Sequence, residues 1–341
     1  MSIKYPFVSI CTPTFNRRPF IPYLIKCIKQ QTYPLEYIEW IIIDDGTDPI
    51  EDLVKDVPFA KYFYYKEHMP LGKKRNLMHT KCSGDIIVYM DDDDYYPPSR
   101  VSHSVETLQK EPTFFIAGSS EMHIYFQSCK KLYQCGPYGN NHSTAATFAF
   151  KKELLKMTKY DDESLVAEEP VFLKNRTIPM LQLDPLKTIC VFSHYHSSLD
   201  KDEILLKNPE LSLTTLSKYT VDDFIKDSEL KQFYVTDMSC ILETYNIGKV
   251  EHKKGLIENI DQIKKKRDKD NMISNLSVNN NLVNSNLVNS NDIENYKKKI
   301  EEKDRKLEEK NHIIIEAMKK IKELKEKIKY FEEQKYNLES K

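Results

Sequence analysis

The first two hundred residues predict an α/β domain built on a largely parallel sheet, and three observations carry that prediction. Short β-rich runs (FVSICTPTF, EWIIIDDG, DIIVYMDDDD) each stop abruptly at acids or turn formers. Helix-periodic segments lie between them, as crossover connections of parallel strands require. EWIII and DIIVYM are apolar almost throughout rather than alternating, which marks strands covered on both faces.

The elements follow in order. FVSICTPTF is a strand that ends in a Pro/Thr/Asn cluster, and RPFIPYLIKCIKQQ places Phe20, Leu24, Ile25 and Ile28 on one helical face. EWIIIDDG is a buried strand, AKYFYYKE a further one, and GKKRNLMHTKC a helix opening on Gly72. After the strand DIIVYM and its acidic run comes a helix with Val101, Val105 and Leu108 inward. Residues 113 to 200 are less regular, with FFIAGSSEMHIYF, TFAF and KTICVFSHYH as strand candidates. The segment 216–263 reads as a helical extension, seen in VDDFIKDSELKQFY. Residues 264–291 turn Lys- and then Asn-rich, with the tandem repeat LVNSN-LVNSN, and hold too little apolar surface for a core. Over 292–339, Ile293, Ile300, Leu307, Ile314, Ile321 and Ile328 recur every seven residues. A second series, Ala317, Leu324, Phe331 and Leu338, follows three residues later, so the tail is expected to be a coiled coil that joins two copies of the chain.

Composition narrows the function. Lys plus Arg (51) and Asp plus Glu (52) nearly cancel over 341 residues, which argues against bulk binding of nucleic acid or anionic membrane. No stretch approaches the roughly 20 apolar residues of a membrane span, and the first residues lack a signal-peptide core. Seven scattered cysteines without CxxC spacing suit reduced thiols and a cytoplasmic location.

Two acidic clusters follow two apolar strands: Asp44 and Asp45 after EWIII, and Asp91–Asp94 after DIIVYM. In an open parallel sheet both would face the crevice at the carboxyl ends of the strands, where ligands bind. Carboxylates there suit a hard cation such as Mn²⁺ or Mg²⁺, which shares its oxygen ligands with substrate phosphates.

VSICTPTFNR, IIIDDGTD, GKKRN and GDIIVYMDDDDYYPPSRV, in that order within about 100 residues, resemble the family 2 glycosyltransferases of the GT-A fold. The resemblance spans roughly residues 5 to 200, with the GT-A domain drawn over 1–215. It implies a Rossmann-like sheet flanked by helices and a nucleotide-sugar donor, most often UDP-linked, with an unidentified glycan or protein as acceptor. By the same resemblance Pro13, Thr14 and Phe15 flank the nucleotide base, Phe15 standing where the family often has Tyr. Asp45 meets the base or ribose with Asp44 beside it, Arg75 lies close to the donor, and Lys73 and Lys74 add charge for the diphosphate. Asp91 and Asp93 match the Asp-x-Asp pair that meets the metal, with Asp92 between them on the nucleotide-sugar side. His194, in FSHYHSS, is a candidate late metal ligand. The family's base comes from a Glu-Asp pair, matched by Glu168 and Glu169, so Glu169 stands where Asp is usual; Asp161 and Asp162 compete for the role. GPYGNNHSTAATFAFKKE reads as the acceptor-side loop. The alternative to an inverting, metal-dependent transferase is an inactive GT-A-like scaffold that assembles through its coiled coil.

Overall fold

A computed structural model describes residues 5–207, 209, 212–253, 255–262, 265 and 305. The linker expected over 264–291 and the coiled coil expected over 292–339 lie outside the described residues, Lys265 and Arg305 apart. The secondary structure described here belongs to the unit formed by residues 1–264.

Its strands are β1 (Val8–Thr14), β2 (Ile38–Asp44), β3 (Ala60–Tyr64), β4 (Ile86–Tyr89), β5 (Ile116–Gly118), β6 (Met122–Phe126), β7 (Lys131–Cys135), β8 (Ala149–Lys151), β9 (Met180–Gln182), β10 (Cys190–Ser193) and β11 (Thr214–Leu216). The α-helices are α1 (Ile21–Lys29), α2 (Glu51–Val54), α3 (Leu71–Lys81), α4 (Arg100–Lys110), α5 (Glu169–Phe172), α6 (Val221–Phe224), α7 (Ser228–Gln232) and α8 (Met238–Thr244).

The main sheet has seven strands in the order β3-β2-β1-β4-β8-β5-β9. β1, β2, β3 and β4 are mutually parallel, as the apolar runs predict. β8 runs antiparallel to both its neighbours, so the sheet is mixed. A second sheet, β10-β6-β7-β11, was not foreseen as a separate layer. β6, β7 and β10 come from the irregular stretch 113–200, and β11 follows it.

Residues alternate across the main sheet with a period of two. Val8, Ile10, Trp40, Ile42, Ile86 and Val88 enter one core, shared with Phe20, Leu24 and Ile28 around α1 and with Val101, Val105 and Leu108 of α4. Cys11, Ile41, Ile43, Ile87 and Tyr89 enter the other, shared with Met78 of α3. Each fully buried side chain of this size stabilises the fold by roughly 1.5–3 kcal/mol.

One charge is buried among them. Glu39 on β2 accepts from Ser9 Oγ at 2.5 Å, from the Ser83 and Gly84 amides, and from Lys61. Burial opposes its ionisation, but these donors outweigh it and hold the carboxyl at about 2. A side chain at Gly84 would lie 2.5 Å from the Ser9 amide, so only glycine allows β4 to start this close to β1.

The extension folds back onto the domain. Thr220 and Asp223 form a capping box on α6, and Asp227 caps α7, so VDDFIKDSELKQFY is two short helices rather than one. Phe224, Leu230, Phe233, Tyr234, Met238 and Leu242 join the core around α1.

Candidate active site

Because β1, β2 and β4 are parallel, their carboxyl ends share one edge of the sheet, with Thr14 opposite Asp44. A cleft opens there, lined by Pro13, Thr14, Phe15, Lys74, Arg75 and Asp91–Asp93 among others.

The acidic run divides by burial and partner. Asp94 turns inward, where Oδ1 accepts from the Phe192 amide at 3.2 Å and its carbonyl accepts from the Tyr234 hydroxyl. Tyr95 pairs with Cys190 backbone to backbone and so ties this turn to the second sheet. Asp91, Asp92 and Asp93 face the cleft. Burial, then the Asp93 charge, pushes Asp92 up to about 7 against the pull of Arg17. Burial likewise raises Asp91, with Arg75 opposing it. Asp93 goes the other way: burial is outweighed by His194, Arg17 and Lys201, which hold its carboxyl below the usual range.

His194 Nε2 lies 3.2 Å from Asp93 Oδ2. Burial drives the His194 pKa down to about 4, so the ring is neutral at pH 7. Its Nδ1 accepts from the His196 amide at 3.2 Å, which leaves the ring proton on Nε2, facing Asp93. Ligating a cation through Nε2 would require the opposite tautomer.

The other strand end is closed. Asp44 accepts from the Gly46 and Ile50 amides and from the Tyr62 hydroxyl at 2.8 Å, and it lies outside the cleft lining. Asp45 accepts from His68 Nδ1 at 3.0 Å, from the Met69 amide and from Lys74. Burial works against its charge, but His68 and Lys74 prevail and lower its pKa. Its side chain has no exposed surface, so it reaches the cleft only through those partners.

Helix α3 supplies two of the cations, and its inward face is largely polar: Gly72, Lys74, Arg75, Met78 and His79 are buried. Lys74 donates to the Thr14 carbonyl and to Asp45. Arg75 donates to Glu168 at 2.7 Å, stands 3.5 Å from Asp91 and lies over the Tyr89 ring. Lys73 is exposed and borders a different surface hollow, one residue off this face. Phe15 packs on His68 with ring centroids 4.5 Å apart.

Glu168 is thus committed to Arg75, whereas Glu169, at the start of α5, accepts from the Ala145 amide at 3.1 Å. Ala145 belongs to the loop read as the acceptor side. Burial and the Glu168 charge raise Glu169 to about 7. Neither glutamate lines the cleft around Asp91–Asp93. Asp161 and Asp162 are exposed on a surface turn.

Residues 9–155 match the family described as glycosyl transferase family 2. This stretch is a family 2 glycosyltransferase domain. Among curated relatives, a Campylobacter jejuni GalNAc(5)-diNAcBac-PP-undecaprenol beta-1,3-glucosyltransferase is 32% identical over 96 residues, covering 26% of this chain and 30% of its own. An uncharacterized Rickettsia typhi glycosyltransferase is 28% identical over 106 residues, covering 31% of this chain and 33% of its own. The match therefore spans only about a third of these relatives' length. Among solved structures, a Pyrobaculum calidifontis mannosyltransferase in complex with GDP-Man and Mn²⁺ aligns at 16% identity and TM-score 0.47, over 72% of this chain and 74% of that one. Staphylococcus aureus TarS 1-349 in complex with UDP-GlcNAc aligns at 14% identity and TM-score 0.42, over 75% and 91%.

Several residues in and beside the cleft escaped the sequence reading. Asn16 holds a left-handed backbone (φ 51°) and accepts from the Thr47 and Asp48 amides, stitching the end of β1 to the loop after β2. Arg17 Nε stands 3.7 Å from both Asp92 and Asp93. Its Nη atoms donate to the carbonyls of His196 and Gly248. Both residues adjoin Pro13–Phe15, so the motif itself was their signal. Ser198, Lys253 and Leu256 also line the cleft, and no local pattern marks them.

Proposed function

We propose that the domain transfers a sugar from a nucleoside-diphosphate sugar to an acceptor hydroxyl, with inversion and with a divalent cation, Mn²⁺ or Mg²⁺. The observation that carries this reading is the cleft itself: Asp91 and Asp93 present partly exposed carboxylates within a ring of Arg17, Lys74, Arg75 and Lys253. Carboxylates suit the cation and the surrounding positive charges suit the diphosphate. Among the described residues no three His, Cys, Asp or Glu side chains are grouped to hold a metal alone. That fits a cation that takes one or two carboxylates and completes its shell with phosphate oxygens. Asp91 and Asp93 would hold it, with His194 orienting Asp93, and the bound cation would offset charge on the departing diphosphate.

The chain's own groups perform the rest. Glu169, with its pKa near 7, accepts the proton of the acceptor hydroxyl as that oxygen attacks the anomeric carbon. The bond from carbon to phosphate oxygen breaks, and its electron pair leaves with the nucleoside diphosphate. Arg75, held by Glu168, and Lys74, held by Asp45, are pre-positioned beside that developing charge. Phe15 and His68 form the aromatic wall for the base, and the family resemblance favours UDP as the carrier.

The test is donor turnover by the full chain with Mn²⁺ across a panel of nucleotide sugars. Hydrolysis or transfer from one donor is expected. No turnover with any donor, together with no Mn²⁺-dependent binding of UDP or GDP, would overturn the proposal. Among the described residues no helix is long and apolar enough to cross a membrane.

A further inference from the structure

The segment after α8 runs along the cleft like a strap, anchored by motif residues just after β1 and by Asp48 in the loop after β2. Asn16 Nδ2 donates to the Ile247 carbonyl at 2.8 Å, and Arg17 Nη1 to the Gly248 carbonyl at 2.9 Å. The Tyr245 hydroxyl donates to Asp48 at 2.9 Å. A side chain at Gly248 would lie 2.8 Å from His196 Nδ1 and 2.9 Å from the Tyr245 ring, so the strap is packed closely at this anchor. Beyond it, Lys253 and Leu256 reach the cleft wall, Leu256 almost fully buried.

The cations of the cleft are not equivalent. Lys74 is paired with Asp45, Arg75 with Glu168, and Arg17 stands between two backbone carbonyls and the Asp92–Asp93 pair. Lys253 Nζ donates to the neutral Ser198 hydroxyl at 2.5 Å. Among the described residues no carboxylate lies within ion-pair distance of it. Burial and the neighbouring Arg17 charge pull the Lys253 pKa down to about 7, against the support of Asp92 and Asp93 from beyond contact distance, so an arriving anion would stabilise the ammonium form.

We propose that Lys253 binds the diphosphate of the donor, so that the C-terminal strap forms part of the donor site. This rests on the donor-site reading above. In the proposed arrangement Ser198 orients the ammonium, and Asn16 and Arg17 fix the strap from which it projects. The Asn16–Arg17 pair thus joins a conformational role to the electrostatic one. The strap lies outside residues 9–155, the stretch that matches the family.

Binding of UDP, GDP and uridine to the full chain with saturating Mn²⁺, measured by calorimetry, tests the proposal. Lys253→Met and Lys253→Gln are expected to weaken the preferred nucleoside diphosphate about 10- to 100-fold, the range of a charge-assisted contact. Uridine affinity should stay within about twofold in both, since a lone nucleoside brings no phosphate charge for the ammonium to meet. Lys253→Arg should recover most of the loss. Equal weakening of uridine and diphosphate would make Lys253 a packing residue and overturn the proposal. Unchanged diphosphate binding in both neutral variants would do the same. If the unsubstituted chain bound neither UDP nor GDP, the donor-site reading would fall, and this inference with it.

Discussion

The two acidic strand ends look alike in sequence and do opposite work. At the end of β2, Asp44 and Asp45 are saturated by protein donors: the Gly46, Ile50 and Met69 amides, the Tyr62 hydroxyl, His68 and Lys74. At the end of β4, Asp91–Asp93 meet side-chain cations at 3.5 to 3.7 Å and open onto the cleft. An acid at a strand end is therefore either a local cap or a ligand site, and the nearby donors decide which. β2 is followed by a turn whose amides point back at its carboxylates. β4 is followed by Tyr95 and Tyr96, which bury themselves: Tyr96 accepts from the Asp91 amide, and Asp94 turns inward to accept from the Phe192 amide.

The largest effect should come at the open end. Asp93→Asn keeps the shape and removes the charge, and kcat/KM with Mn²⁺ is expected to fall about 10³-fold, with little change in Tm. A loss under tenfold would mean that the open end is no more functional than the closed one.

Glu169 comes next. Glu169→Gln is expected to lower kcat about 10²- to 10⁴-fold, as loss of a general base does. The base acts only when ionised, so kcat in the unsubstituted enzyme should rise with pH through about 7 and then level. That rise should be absent in the variant; its persistence would assign the base elsewhere. The same raised pKa has a stability consequence. Between its ordinary 4.5 and about 7 the folded state holds the Glu169 proton more tightly than the unfolded state does, so this group's contribution falls as pH rises through that window.

What the sequence made legible follows the same division. β1, β2 and β4 were visible because strands covered on both faces are apolar throughout, and their carboxyl ends could be placed on one edge without knowing any contact. The antiparallel entry of β8 was not visible, because AFK is too short to carry a direction. Choosing Lys74 over Lys73 was not possible from apolar periodicity, because the inward face of α3 is itself largely polar. Lys253 sits in HKKG within a Lys-rich stretch, and only the folding of the strap distinguishes it from its neighbours.

At the closed end the effect should appear in stability rather than in binding. Asp44→Asn sets amide protons against donors that a carboxylate had accepted, at a cost of about 2 kcal/mol. For a domain of this size that is a fall in Tm of roughly 4–8 °C. UDP affinity of the folded protein should move by less than about threefold, the change expected of a residue that shares no partner with the ligand. A larger change would return Asp44 to the cleft.

Asp45 is the intermediate case and the finest probe of the contrast. It is as buried as Asp44, yet two of its partners, His68 and Lys74, line the cleft. Asp45→Asn keeps an acceptor but releases Lys74 from its counter-charge, leaving it anchored by the Thr14 carbonyl alone at 2.9 Å. The expected result is UDP binding weaker by about three- to tenfold, the scale of one charge-assisted hydrogen bond made less well oriented. Uridine binding should hardly change, because Lys74 serves the phosphates. If uridine weakened as much as UDP, Asp45 would touch the base or ribose directly, as the family resemblance implies. The strand ends would then differ in degree of closure in the free protein, and not in kind.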